Sequence, residues 1–319
     1  MVATLTQAYG HASTTAEATV VNCYDLLDPA LGTGVHDFTE GMYFGDPSTP
    51  YEEAQQNQAE HVLHLAHCRR GSRLLDVGCG YGRILETAKS RGAIGRGITL
   101  SRPQMEYCRR RGLNAWQLDY RNLPHAIDGE FDCVVANGSI EHFVQAEDAA
   151  DGRAHEIYSE MFDVFHRMLD PGSESGRLVT TLIHFGDVVI DPRDMLHPPS
   201  HFPRGSSEQQ FALLVRTFGG FYPQIGELEA CASGRFALID EEDGTDDYLY
   251  TSEHWLESMQ NACWGNLQFL AGAVGNFVRH PSQALTMLDC LLVAQSWNWQ
   301  FRGEPSPMKL LRQTWLRLP

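Results

Sequence analysis

The stretch RLLDVGCGYGR, residues 73–83, decides the fold. Arg73, Leu74 and Leu75 run into Asp76, and glycines follow at 78, 80 and 82. It reads as a strand ending in a glycine turn that opens a helix. Glycines there let the backbone turn tightly and approach a ligand, and the helix start offers free N–H groups. Glycine spacing alone is weak evidence, because dinucleotide sites share it. Asp76 sharpens the reading, since its carboxylate would repel a pyrophosphate. A dinucleotide site also expects an acid roughly 20 residues on. The next strand end, GITLS at 97–101, has none.

Outward from this turn, short apolar runs alternate with helical stretches. ILETAKSRG is helix, AIGRGITL strand, and SRPQMEYCRRRG helix. NAWQLDY and FDCVVANG are strands, EIYSEMFDVFHRML is a helix stopped by Pro171, and GRLVTTLIHF is the next strand. This rhythm predicts an α/β fold, a parallel sheet with helices on both faces. Ligands are expected beyond the carboxyl ends of the strands. Upstream, PYEEAQQNQAEHVLHLAH at 50–67 predicts a helix capped by Thr49. VVNCYDLLDPALG reads as a short helix closed by Gly32, and the first twenty or so residues as mobile. After Gly186 the rhythm breaks into a proline-rich loop, DVVIDPRDMLHPPSHFPRG, whose length favours a lid or substrate wall. SSEQQFALLVRTFGG is helix, RFALIDEED a late strand, and two long helical stretches cover 251–273 and 282–303. MKLLRQTWLRL fits a last strand or a short helix. No repeat and no second-domain boundary is visible.

The 319 residues carry 41 acidic and 24 basic side chains, a formal net charge of −17. That disfavours a nonspecific nucleic-acid partner and an anionic membrane surface. Part of the excess, DEEDGTDD at 240–247, is expected on a solvated turn. Eight scattered cysteines without a CxxC pair read as reduced thiols of a cytoplasmic protein, with no structural zinc. No secretion signal or membrane span is expected.

Two further strand ends carry chemistry. LDY at 118–120 offers Asp119 to an adenine amino group, with Leu118 and Tyr120 bordering the ring; a turn or helix cap is the alternative. NGSIEHF at 137–143 places Glu141 and His142 where a strand gives out. Glu141 is either an active-site carboxylate or a cap for the following helix. His142 either works beside it or holds the loop.

LLDVGCGYGR, GITLSRPQ, LDYRNLP and FDCVVANGSIEHF, in this order, resemble a class I S-adenosylmethionine-dependent methyltransferase. MYFGDPSTPYEEAQQNQAEHVL, FGGFYPQIGEL and DDYLYTSEHWLESM resemble its cyclopropane-fatty-acid-synthase branch, from about Val35 onward. The resemblance implies a Rossmann-like class I methyltransferase sheet with a helical lid over the substrate. It implies an N-terminal helical segment, 1–70, covering the cofactor site, and a core over 71–319 with lid insertions around 187–225 and 250–303. S-adenosylmethionine would meet Asp76, Gly78 and Gly80, with Thr99, Leu100 and Gln104 on its ribose and methionine side. Asp119 and Tyr120 would lie near adenine, Asn137 at the neighbouring strand end, and Tyr43 in the lid over the cofactor. Glu141, Tyr248 and His142 are the expected catalytic set.

The cyclopropanating members cradle a bicarbonate with cysteine, glutamate, histidine and tyrosine side chains. Glu141 and Tyr248 match two of these. The cysteine falls at Gly41, and the histidine at or beside Thr181, with His184 three residues on. A carboxylate working without thiol and imidazole can still stabilise a cation and then accept a proton. The expected activity is therefore C-methylation of an alkene in a small lipid or isoprenoid, including an isoprenoid diphosphate. The rivals are ring closure on acyl chains and N- or O-methylation of a specialised metabolite. Trp255, Trp264, Phe269, Trp297 and Trp299 either line a tail pocket or form core. A diphosphate head would call for Mg²⁺ or for His197, His201, Arg193, Arg204 and Arg216, unless these form plain surface loop. No metal ligand set is readable, and the partner expected is a small molecule with an apolar portion. A homo-oligomer is compatible with the sequence.

Overall fold

Leu74 and Leu75 are neighbours in the chain, yet both are fully buried, one on each face of a sheet. The same holds for Cys133 and Val135 against Val134 and Ala136. Strands buried on both faces need a continuous apolar run, which is the texture these segments carry. The computed structural model describes residues 15–173 and 176–319.

Among the described residues, helix α1 (Thr15–Leu27) and α2 (Tyr51–Leu65) come first. It then alternates through β1 (Arg73–Val77), α3 (Arg83–Ser90), β2 (Ile94–Thr99), α4 (Arg102–Arg110) and β3 (Ala115–Gln117). Strand β4 (Cys133–Asn137) leads to α5 (Ala146–Ala150), α6 (Ala154–Met168) and β5 (Arg177–Phe185). Next come α7 (Ser207–Phe218), α8 (Glu227–Ala232), β6 (Phe236–Asp243) and α9 (Thr245–Ala262). The last elements are α10 (Leu267–Arg279), α11 (Pro281–Leu288), α12 (Ser296–Trp299) and β7 (Met308–Arg317). The seven strands form one sheet in the order β3-β2-β1-β4-β5-β7-β6. The first five run parallel. Strand β7 enters antiparallel between β5 and β6, so the sheet is mixed rather than wholly parallel.

One core layer packs α2 and α3 on the sheet through Val62, Leu63, Ile84 and Ala88. The other is larger and holds Phe162, Phe165, Phe211, Trp255 and Trp315. Ser101 caps α4 by accepting from the Gln104 N–H, and Ser206 caps α7 in the same way.

Several expectations change here. Pro50, not Thr49, stands at the N-cap of α2, with no side-chain cap. The expected mobility of the N-terminus lies, for residues 1–14, outside the described residues. Residues 15–27 are helix, and Cys23, Leu26 and Leu27 are buried, so this stretch has an apolar face to pack. The helix ends at Leu27, because Pro29 cannot continue it and a 3₁₀ turn follows. The acidic run is no solvated turn: its first half ends β6 and its second half opens α9, where Asp246 and Asp247 suit the helix dipole. The first long C-terminal helix breaks in two, since Asn266 accepts from the Phe269 N–H and caps α10. Residues 308–317 are strand, with six consecutive residues buried from Leu310 to Trp315.

Candidate active site

A cavity of about 960 Å³ opens at the carboxyl ends of β1, β2 and β4. Its far walls come from α1, α7, α9 and α11, through residues such as Tyr24, Phe218, Tyr248 and Thr286.

The glycine turn forms its floor. Gly78 has φ +79, and a Cβ there would lie 2.3 Å from the Ser139 Cβ. Gly80 has φ +50 and faces space, with the Gly78 carbonyl oxygen 4.0 Å away as its nearest neighbour. Asp76 is buried, and its Oδ2 has no hydrogen-bond partner. Burial lifts its pKa to about 7. On the β2 side, the Thr99 hydroxyl donates to Gln104 Oε1 at 2.8 Å, with Leu100 beside them. Asp119 accepts from Arg121, both backbone and guanidinium, and the Tyr120 ring stacks on Phe143 at 4.2 Å.

Strand β4 delivers Asn137, then a 3₁₀ turn spans Ile140–His142. Glu141 Oε1 accepts from the Ile183 N–H of β5 at 3.1 Å, so the carboxylate does not cap a helix. Its Oε2 is buried without a partner, and burial pushes the pKa up to about 8. Gly220, with φ +85, lets the loop after α7 press on this turn, since a Cβ there would lie 2.0 Å from the Glu141 carbonyl oxygen. His142 Nε2 lies 3.2 Å from the Tyr24 hydroxyl, and its buried Nδ1 has no partner. Burial lowers its pKa to about 4, so the imidazole is neutral at physiological pH. Tyr248 projects from α9 against Phe301, with ring centroids 4.6 Å apart, and burial beside Glu141 raises its pKa.

The structure thus gathers Asp76, Gly78, Gly80, Thr99, Leu100, Gln104, Asp119, Tyr120, Asn137, Glu141, His142 and Tyr248 around one cavity. Tyr43 is not on its wall. Asp247 accepts from the Tyr43 N–H, and the ring is wedged against Tyr250. His184 does not reach the cavity either; it is buried on the strand face opposite Ile183, which does. Gly41 leaves no room for a thiol, because a Cβ would lie 2.8 Å from both the Ala54 Cβ and the Tyr43 Cε2. Of the aromatic stripe only Trp297 lines the cavity. Trp255 is core, and Trp264 is 91% exposed. The proline-rich loop contributes Met195 to the wall, but not His197, His201, Arg193 or Arg204.

Sequence reasoning missed a buried polar network behind this wall. Glu40 accepts from Gln58 Nε2 at 2.6 Å and from Asn137 Nδ2 at 3.0 Å. Gln58 Oε1 accepts in turn from Nε of the fully buried Arg312, which pairs with Asp247 at 2.9 Å. Burial raises the pKa of Glu40. The available signal was an arginine inside the apolar run of residues 308–317 and an acid just before Gly41.

Glu40, Asp76 and Glu141 are all buried on the cavity wall. Of the arginines there, Arg83 pairs with Asp37 and Arg121 with Asp119. Such a wall suits a cationic sulfonium, and the open side of Gly80 leaves room for it. A divalent cation fits less well. Among the described residues no three His, Cys, Asp or Glu side chains gather as a metal site, and no helix is long and apolar enough to cross a membrane.

Residues 39–272 match the family model described as mycolic acid cyclopropane synthetase. A probable fatty acid methyltransferase of Pseudomonas putida is 39% identical over 230 residues, 69% of this chain, and the chain spans about half (52%) of that relative's length. The 27-O-demethylrifamycin SV methyltransferase of Amycolatopsis mediterranei is 32% identical over 74% of this chain and 77% of that protein. The structure of the cyclopropane synthase MmaA2 from Mycobacterium tuberculosis superposes with a TM-score of 0.70 at 17% identity, over 96% of this chain and 99% of that one. The chain, with its β3-β2-β1-β4-β5-β7-β6 sheet and its cavity beyond the glycine turn, belongs to the mycolic acid cyclopropane synthetase family and is an S-adenosylmethionine-dependent methyltransferase of class I fold.

Proposed function

We propose that this enzyme C-methylates an alkene in an unsaturated lipid chain, with Glu141 as the base. The observation that carries this reading is Glu141 itself: one oxygen pinned to the Ile183 N–H, the other buried on the cavity wall without a partner. The bound cofactor supplies an electrophilic methyl on a cationic sulfur. Asp76, the glycine turn, Thr99, Gln104 and Asp119 would hold it, with Asn137 and Tyr120 beside them. Attack by the alkene would form a new C–C bond as the methyl–sulfur bond breaks, its electron pair staying on the now neutral sulfur, and would leave a cation on the adjacent carbon. The Glu141 carboxylate offsets that charge, then takes a proton from a neighbouring carbon, and the C–H electron pair restores an alkene. A carboxyl that is neutral in the empty site ionises more readily once a cation lies beside it.

Loss of a proton rather than ring closure is supported by Gly41 and Thr181, where neither thiol nor imidazole is present. An apolar chain is supported by Met195, Val215, Phe218, Tyr222 and Trp297 on the wall. A diphosphate head is not: Arg216, which donates to the Leu196 carbonyl, is the one wall arginine that forms no carboxylate pair among the described residues. A second reading is O-methylation with His142 as base, favoured by its neutral, unpartnered Nδ1 on the same wall.

The test is methyl-labelled cofactor with a panel of unsaturated lipids, isoprenoid diphosphates and hydroxylated metabolites, with NMR of the product. The expected signal is a methyl on a retained alkene, unaffected by chelators. A cyclopropane or methoxy signal would overturn the proposal. Glu141→Gln is expected to lower kcat about 10²–10⁴-fold, with cofactor affinity changed only a few-fold.

A further inference from the structure

The hairpin of α10 and α11 is apolar on the side that faces away from the protein. Its inner side is tied down. Gly272 lies so near Pro29 that a Cβ would come within 2.8 Å of the ring, and Asn276 Nδ2 donates to the Leu26 carbonyl at 2.8 Å. The outer side of α10 carries Leu267, Val274 and Val278 at helical spacing, 80%, 65% and 74% exposed. Phe277 stands beside them, and Trp264 just before the helix. On α11, which packs against α10, Leu285 and Leu288 are also exposed, one turn apart. Seven of the fifteen most exposed large apolar side chains among the described residues thus fall within residues 264–288. A helix face this apolar is normally covered, by a core or by lipid.

Charge separates the candidate occupants. Residues 264–288 contain no aspartate or glutamate and one arginine, Arg279, in a chain of net charge −17. The face is therefore cleared of the charge that dominates the rest of the molecule. A tryptophan at its edge suits the boundary between water and hydrocarbon. The same α11 lines the cavity with Ser282, Gln283 and Thr286, so whatever covers the outer face also sits at the cavity's rim.

We propose that the outer face of α10 and α11 docks on an uncharged or zwitterionic lipid surface, from which the cavity takes its substrate. The inference rests on the reading of the substrate as a lipid chain. An anionic surface is disfavoured, because the surrounding acidic protein would repel it.

The test is co-sedimentation of the full chain with phosphatidylcholine vesicles, with neither cofactor nor methyl acceptor present. Wild type is expected to sediment with them, to do so less as phosphatidylglycerol is mixed in, and to be little affected by salt on pure phosphatidylcholine. The double variant Val274→Asp/Val278→Asp, at exposed positions outside the cavity, is expected to bind at least ten-fold more weakly while keeping its circular dichroism and cofactor affinity. The proposal fails if wild type stays in the supernatant, or if the variant sediments equally well. It also fails if light scattering shows a wild-type dimer that the variant abolishes, without vesicle binding; the face is then an interface between copies. Sedimentation without methyl transfer to any lipid would leave the docking standing and remove the substrate reading instead.

Discussion

The two oxygens of Glu141 sit in different surroundings, one bonded to β5 and the other on the cavity wall. That asymmetry gives the ligand-free protein a pH signature. Burial lifts Glu141 to about 8 and Asp76 to about 7, whereas both ionise near ~4 in an unfolded chain. Between those limits the folded state keeps protons that the unfolded state has lost. The contribution to stability is complete below the unfolded values and is lost as pH rises through the folded ones. The buried imidazoles of His142 and His184, lowered to about 4, act in the opposite sense below about pH 6.5, so the melting temperature of the ligand-free protein should fall from about pH 6.5 to about pH 8. Glu141→Gln should flatten that slope, and a variant profile parallel to wild type would remove Glu141 as its source. Glu141 and His142 were legible as candidates because they follow an apolar strand directly. What their side chains touch was not, since Ile183 and Tyr24 come from β5 and α1.

At the scale of the element, the glycine turn separates folding from binding. Gly78 and Gly80 both have positive φ, but only Gly78 is packed against another side chain. Gly78→Ala would drive a methyl into Ser139, whose Oγ donates to the Val77 carbonyl at the same turn. It should cost about 3 kcal/mol or more, from overpacking added to left-handed strain. Gly80→Ala should fold at a cost of about 1 kcal/mol and instead weaken S-adenosylmethionine binding ten-fold or more. Denaturant unfolding and cofactor titration of the two variants read the difference; equal effects on both measurements would contradict it. The elements themselves were readable where strands are buried on both faces and helices begin at a capping serine, as at Ser101 and Ser206. The break at Asn266 was passed over because the apolar texture continues on either side of it.

Across the whole molecule, Arg312 joins parts that no local pattern connects. It lies on β7 and holds Asp247 of α9 and Gln58 of α2, which in turn holds Glu40 and Asn137 on the cavity wall. Removing one partner of a buried ion pair leaves the other uncompensated. Arg312→Ala should cost about 3–5 kcal/mol in denaturant unfolding. Arg312→Met combined with Asp247→Asn should cost less than that single change. Additive losses would mean that the pair is not coupled.

The residues as they stand in the chain settled the glycine turn, the alternation of strand and helix, and the carboxylate at the end of β4. Each depends on backbone preferences and apolar periodicity within a few neighbours. The insertion of β7 between β5 and β6, the closing of the Gly41 position and the Glu40 network required the folded chain. Arg312 and Gln58 are 254 residues apart. No short-range pattern carries a pairing over that distance; it exists once the sheet brings β7 against the segments that precede β1.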